Sequence, residues 1–215
     1  MTEPKDNKEK PPVIIGVIGD VCAGKSTASR LLREILNPAC AQIWDADQAV
    51  REIQSRPEII ERIVDRFGDD VLAADGRLDR VALGARVFRD ANELAALTAI
   101  LREPIDAALD AAISDAADSG ADWLILDAPT LCESGKIGSC DRVIYIAAPE
   151  SVKNARARSR GWTEGEVARR EARLDSAQKK KERSDFVIEN SGDMDALRVE
   201  LIRRLAIVRE ELDND

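Results

Sequence analysis

Eight residues set the chemistry this chain can attempt: Gly19-Asp20-Val21-Cys22-Ala23-Gly24-Lys25-Ser26. They fit G-x-x-x-x-G-K-[ST], in which glycines let the backbone curl and point its N–H groups at phosphate oxygens. The lysine of that pattern reaches the β- and γ-phosphates, and its hydroxyl can ligate Mg²⁺. Cys22, Ala23, Gly24, Lys25, Ser26 and Thr27 are therefore the expected binding residues for ATP or GTP. A chance glycine turn at a strand–helix junction would share the spacing. The flanks favour the loop: Val13–Ile18 reads as a buried strand and Thr27–Leu36 as an amphipathic helix.

The remaining candidates are acids and arginines, because the chain has no histidine to act as an imidazole base. Asp45 and Asp47 follow the second apolar run, where strand ends line a ligand crevice. One of them could take the proton of an attacking hydroxyl; either could instead be the N-cap of the next helix. Asp127 ends a third apolar run and suits a Mg²⁺-holding acid, with helix capping as the alternative. Arg156 and Arg160 stand one helical turn apart, as do Arg169 and Arg173. Arginines on a closing element would neutralise a transferring phosphoryl group and exclude water. Arg156 and Arg160, just before Gly161, are the expected pair, and Lys179 to Lys181 read as surface.

These groups need a frame that brings strand ends together. Five apolar runs supply it: Val13–Ile18, Gln42–Trp44, Trp123–Leu126, Arg142–Ala147 and Phe186–Ile188. They are mostly continuous rather than alternating, as in strands buried on both faces, and helical segments separate them. The expected fold is α/β, a five-stranded parallel sheet wound on both faces. Residues 13–48, 120–150 and 184–215 would form this nucleotide-binding core. Residues 49–119 show no strand and read as an inserted helical domain, with Pro104 dividing two helices, 91–101 and 105–117. Residues 151–183 read as a helical lid hinged at Gly161-Trp162-Thr163, with Thr163 and Glu166 as a capping box. A stripe at Met194, Leu197, Leu201, Leu205 and Val208 marks a last helix packed on the core.

Composition narrows the setting. The net charge of −9 argues against general nucleic-acid binding. Residues 153–183 carry eleven Lys/Arg against five Asp/Glu, a local +6 that suits one polyanionic ligand. No 18-residue apolar run calls for a membrane span. Residues 1–12 read as a polar, disordered tail without a signal peptide's apolar stretch, and the four cysteines form no C-x-x-C pair. A cytoplasmic protein with reduced thiols is expected, and no pattern fixes an oligomeric state.

Four further stretches give the chain a family resemblance from about Val13 to Leu205. Trp44-Asp45-Ala46-Asp47 is similar to the D-A-D motif of dephospho-coenzyme A kinases. Asp75-Gly76-Arg77-Leu78-Asp79-Arg80 with Val87-Phe88 resembles their D-G-x-L-D-R…VF segment. Leu126-Asp127-Ala128-Pro129-Thr130-Leu131-Cys132-Glu133 resembles their L-D-x-P-L-L-x-E stretch. Ser184-Asp185-Phe186-Val187-Ile188-Glu189-Asn190 resembles A-D-x-V-I-x-N. The resemblance implies a P-loop kinase fold and MgATP-dependent phosphorylation of the ribose 3′-hydroxyl of dephospho-CoA. It makes the insert the dephospho-CoA-binding part and Asp47 the proton acceptor. It also gives Lys25 and Arg156 the transferring phosphoryl group, and sets Asn190 near the adenine. Where the family usually has His-Pro, this chain has Arg102-Glu103-Pro104. A P-loop kinase with another acceptor, or a nucleotide-binding protein without catalysis, are the competing readings.

Overall fold

The computed structural model describes residues 11–214, so the tail expected over residues 1–12 lies almost wholly outside the described part. Five strands, β1 (Val13–Gly19), β2 (Ala41–Asp45), β3 (Trp123–Asp127), β4 (Arg142–Ala147) and β5 (Phe186–Glu189), form one parallel sheet. Their order is β2-β3-β1-β4-β5. Successive strands are added on one side of β1 and then on the other, so the crevice outside the carboxyl end of β1 is the natural ligand position. The glycine loop leaves from that end. Register puts Val17 beside Asp127 of β3 and Gly19 beside Ile146 of β4.

Helices α1 (Lys25–Leu36) and α9 (Met194–Asn214) pack on one face of this sheet. Leu31, Leu32 and Leu36 meet Leu197, Leu201, Leu205 and Val208 over Ile15, Val17, Ile144 and Ile146. Each fully buried aliphatic side chain contributes roughly 1.5–3 kcal/mol, so this cluster dominates the sheet's stability. Met194 does not join the stripe; it is 59% exposed, at the first residue of α9. Gly16 faces the other side, where an added Cβ would lie 2.8 Å from the Cys140 Sγ and 3.1 Å from Leu131.

Residue contacts divide the chain into two compact units. One comprises the chain up to Trp44 and again from Ile113; the other is Asp45–Ala112. The second contains α2 (Ala46–Ile53), α3 (Pro57–Phe67), α4 (Arg80–Val87) and most of α5 (Ala91–Asp118), with a short 3₁₀ turn at Asp69–Val71. Its own core joins Ile53, Ile59, Ile63, Phe67, Val71, Leu83, Val87, Leu97 and Leu101. The helix break expected at Pro104 is absent: α5 is one 28-residue helix with Pro104 inside it. The proline removes one backbone hydrogen bond, while Leu97, Leu101 and Leu109, buried on either side of it, hold the helix in place.

Residues 151–183 hold three short helical pieces: most of α6 (Glu150–Ser159), then α7 (Glu166–Glu171) and α8 (Ala177–Glu182). The Thr163–Glu166 capping box does not form. Gly165 is the N-cap of α7, in the left-handed region, with no side-chain cap. Glu166 instead binds Arg169 and Arg170 at 2.8 Å each, and the Thr163 hydroxyl accepts from Arg169. Two arginines within a turn outcompete one backbone N–H for the carboxylate.

Candidate active site

The glycine loop is shaped from below by β4 and from behind by Asn190. A Cβ on Gly19 (φ +148°) would come within 2.1 Å of the Ile146 carbonyl oxygen, so only glycine lets the loop leave β1 so close to β4. A Cβ on Gly24 (φ +99°) would lie 2.6 Å from Asn190 Nδ2. Gly24 is also the N-cap of α1 and offers no side-chain cap. Thr27 N donates to the Gly24 carbonyl at 3.1 Å, and no side chain caps the N–H groups at the very start of α1, the position where a helix favours an anion.

Within the loop, Lys25 Nζ donates to the Asp20 carbonyl at 2.8 Å and to Gly19 at 3.4 Å. Ser26 is exposed on the first turn of α1, with Thr27 beside it half-buried. Asp127, 5% exposed, stands at the carboxyl end of β3, the strand next to β1. Among the described residues no group of three or more His, Cys, Asp or Glu could hold a metal. Mg²⁺ on a nucleotide needs only one or two protein ligands besides phosphates and water. A hydroxyl at the helix start and a carboxylate at the neighbouring strand end fit that requirement.

The expected lid residues converge on the loop's backbone. Arg156 Nη1 donates to the carbonyls of Ala23 (2.8 Å) and Cys22 (3.3 Å), and Arg160 Nη1 lies 3.7 Å from the Cys22 Sγ. Asn190 Nδ2 donates to the same Ala23 carbonyl at 2.7 Å. Cys22 itself has φ +59° and packs into a small cluster with Ala157 and Val167, flanked by Val21 and Trp162. One loop residue is therefore seated in the 151–183 segment while its neighbour is held by two side-chain donors.

Asp45 and Asp47 belong to the second unit and play different local roles. Asp45 is the N-cap of α2, its Oδ1 accepting from Gln48 N at 3.0 Å. Asp47 is exposed in the first helical turn. The D-G-R-L-D-R stretch is also explained locally. Asp75-Gly76 forms a turn closed by Gly76 N to the Ala73 carbonyl, and Asp79 caps α4 through Val81 and Ala82 N. Arg80 Nη2 donates to the Arg51 carbonyl at 3.0 Å.

Several residues at the nucleotide end escaped the sequence. Lys180, expected at the surface, is 2% exposed: its ammonium donates to the Pro129 carbonyl (3.0 Å) and pairs with Glu133 (2.9 Å). A buried ammonium must be paired, and the partners come from the segment after β3, fifty residues away. Lys153, 6% exposed, pairs with Glu150 (2.8 Å) and Glu171 (2.9 Å). Burial alone would lower its pKa, but the hydrogen bonds to the two glutamates outweigh this and raise it. Tyr145, fully buried, donates its hydroxyl to Asp20 Oδ1. Burial, then that carboxylate, push its phenol upward, so it stays a donor. Apart from Glu150–Lys153, one turn apart on α6, no local spacing signals these pairs, because each joins elements distant in sequence.

A family model described as dephospho-CoA kinase matches residues 13–196. The chain is 35% identical over 200 residues to a dephospho-CoA kinase of Deinococcus radiodurans, covering 91% of this chain and 94% of that one. It is 37% identical over 199 residues to that of Lactiplantibacillus plantarum, covering 91% and 98%. Among solved structures, TT1252 from Thermus thermophilus superposes with a TM-score of 0.76 at 31% identity, covering 92% of this chain and 98% of that one.

Proposed function

The chain belongs to the dephospho-CoA kinase family, and from that premise we infer that it transfers the γ-phosphoryl group of ATP to the ribose 3′-hydroxyl of dephospho-CoA. This is the final step of coenzyme A biosynthesis. The observation that carries it is the extent of the match. Residues 13–196 include the helical unit as well as the phosphate loop. The loop alone is shared by kinases of many acceptors, whereas acceptor choice resides elsewhere in the fold.

In this reading residues 49–119 bind dephospho-CoA and residues 151–183 act as the lid. Lys25 and the N–H groups from Cys22 to Thr27 hold the nucleotide's phosphates. Ser26 and Asp127 hold Mg²⁺, which when bound neutralises charge on the β- and γ-phosphates. Asp47 accepts the acceptor hydroxyl's proton; its exposure supports this, since Asp45 is already engaged as a cap. Arg156 and Arg160 offset charge on the transferring group. A guanidinium has five N–H donors, and the two loop carbonyls draw on Arg156 Nη1 alone. Asn190 lies toward the adenine end while bracing Ala23. No helix among the described residues is long and apolar enough to cross a membrane, and a cytoplasmic location suits the substrates.

The test is MgATP-dependent ADP release with dephospho-CoA, set beside adenosine, AMP, gluconate and shikimate, with product mass determined. Turnover with dephospho-CoA and a product of coenzyme A mass is expected. Turnover only with another acceptor, or none from protein that binds MgATP, would overturn the assignment.

A further inference from the structure

Asp20 is the wrong residue for touching a phosphate, yet it is the second residue of a phosphate loop. A carboxylate there repels the polyanion that the loop exists to hold. Its polar groups show what it does instead. Its backbone N–H donates to the Ile146 carbonyl at 3.0 Å. Its Oδ1 accepts from the Tyr145 hydroxyl, and its Oδ2 from Ala148 N at 3.3 Å. All three anchor the residue to β4 and the segment just beyond it. The remaining group, its carbonyl, takes Lys25 Nζ at 2.8 Å. Tyr145 is 0% exposed, so its hydroxyl must find a partner inside. The next peptide is fixed as well, Val21 N donating at 3.3 Å to Glu171, itself paired with the buried Lys153.

We propose that Asp20 and Tyr145 are a positioning pair: the buried hydroxyl fixes the Asp20 side chain, which orients the loop's second peptide and so sets where the Lys25 ammonium rests. Neither residue touches substrate. Their effect passes through Lys25 and the loop N–H groups and falls on nucleotide binding. This rests on reading Gly19–Ser26 as the nucleotide's phosphate site.

The test compares wild type, Tyr145→Phe, Asp20→Ala and the double variant by ADP affinity with Mg²⁺ present, the ADP-induced rise in Tm, and steady-state kinetics. Each single variant should weaken ADP binding and raise KM for ATP about five- to tenfold, by analogy with lost hydrogen bonds to a charged group. Each should also shrink the ADP-induced Tm increment. KM for dephospho-CoA should stay within twofold, and the double variant should be no worse than the weaker single. A purely structural pair would lower Tm but leave the ADP-induced increment and KM for ATP unchanged; that result overturns the proposal, as does multiplication of the two effects. If Tyr145→Phe does not fold, Asp20→Asn serves. It keeps an acceptor for the hydroxyl and should retain ADP affinity better than Asp20→Ala, and equal losses overturn the pair. Wild type that binds ADP but does not phosphorylate dephospho-CoA would remove the assigned reaction while leaving the ADP comparison to decide the pair.

Discussion

The unit that holds the phosphate loop and the helical unit of residues 45–112 are stabilised in different ways. Around the loop, a parallel sheet buried on both faces is supplemented by long-range polar ties: Tyr145–Asp20, Asn190 and Arg156 to Ala23, Lys180–Glu133. The helical unit has an aliphatic core and short-range polar contacts, such as Asp79 capping α4 and Arg86 on Glu93. Exposed apolar side chains do not separate the two: Val81 and Phe88 stand out from the helical unit, Met194 and Ile202 from the other. The contrast teaches that the glycine loop is held by ties from elements distant in sequence, whereas the helical unit relies on its own apolar core and on local contacts.

Lys25→Ala should break the comparison at its strongest point. Its ammonium is the only loop cation, and its loss should lower kcat/KM on the order of 10³-fold with a circular dichroism spectrum like the wild type's. Retained turnover would remove the loop from the chemistry. On the helical side, Asp47→Asn should lower kcat about 10²-fold while leaving KM for ATP nearly constant, as expected for a lost proton acceptor. A larger loss in Asp45→Asn would transfer the role to the capping acid.

How much of this was legible follows the same division. The loop, the sheet and the order of its strands' flanking helices are local patterns, and Gly19, Lys25 and Ser26 could be read directly. The ties behind the loop could not. Lys180 sits in Lys179-Lys180-Lys181, where nothing distinguishes the one that meets Glu133 from its neighbours. Tyr145 lies in a run of apolar residues and looks like any strand aromatic until Asp20 is found opposite its hydroxyl. In the helical unit the reverse error occurred. Pro104 is a strong local breaker, and the leucines packed on either side of it overrode that preference. Outside that unit, in residues 151–183, Thr163 and Glu166 spelled a cap that nearby arginines took over.

Arg156→Ala sharpens the loop side. Removing the guanidinium takes a donor from the Cys22 carbonyl, leaves the Ala23 carbonyl to Asn190 and, in the proposed reaction, deletes a charge near the transferring group. A fall in kcat of about ten- to a hundredfold is expected, against less than twofold for Arg158→Ala, whose side chain is exposed. Comparable losses in the two would show that the lid register is shifted. Phe88→Ala addresses the helical side alone. In the proposed reaction this exposed aromatic at the C-cap of α4 serves the acceptor, so KM for dephospho-CoA should rise about fivefold, near the value of one partly buried apolar contact, with KM for ATP unchanged. An unchanged KM for dephospho-CoA would leave Phe88 without a part in acceptor binding.

The smallest effect separates the two units by acid. In the helical unit the hydrogen bonds from Arg86 hold the Glu93 carboxyl below its usual value, and in the 151–183 segment Arg170 and then Arg169 do the same for Glu166. A folded-state value depressed below the unfolded one contributes stability above the unfolded pKa, about 4.3 for glutamate. That contribution is lost as pH falls through the folded value. Tm should therefore drop below about pH 4, and Glu93→Gln should lower Tm at pH 7 while flattening its fall in acid. Arg86 also donates to the Phe67 carbonyl and stacks over its ring at 5.4 Å, so the Glu93 pair orients a half-buried guanidinium laid against the helical core. Glu166 and its two arginines are more exposed, with Arg169 at 53% and Arg170 at 43%, and solvent screens such pairs. Glu166→Gln should accordingly change the acid limb less than Glu93→Gln. The opposite order, read from Tm between pH 3 and 7, would mean that the surface charges of residues 151–183 matter more to stability than the helical unit's half-buried pair.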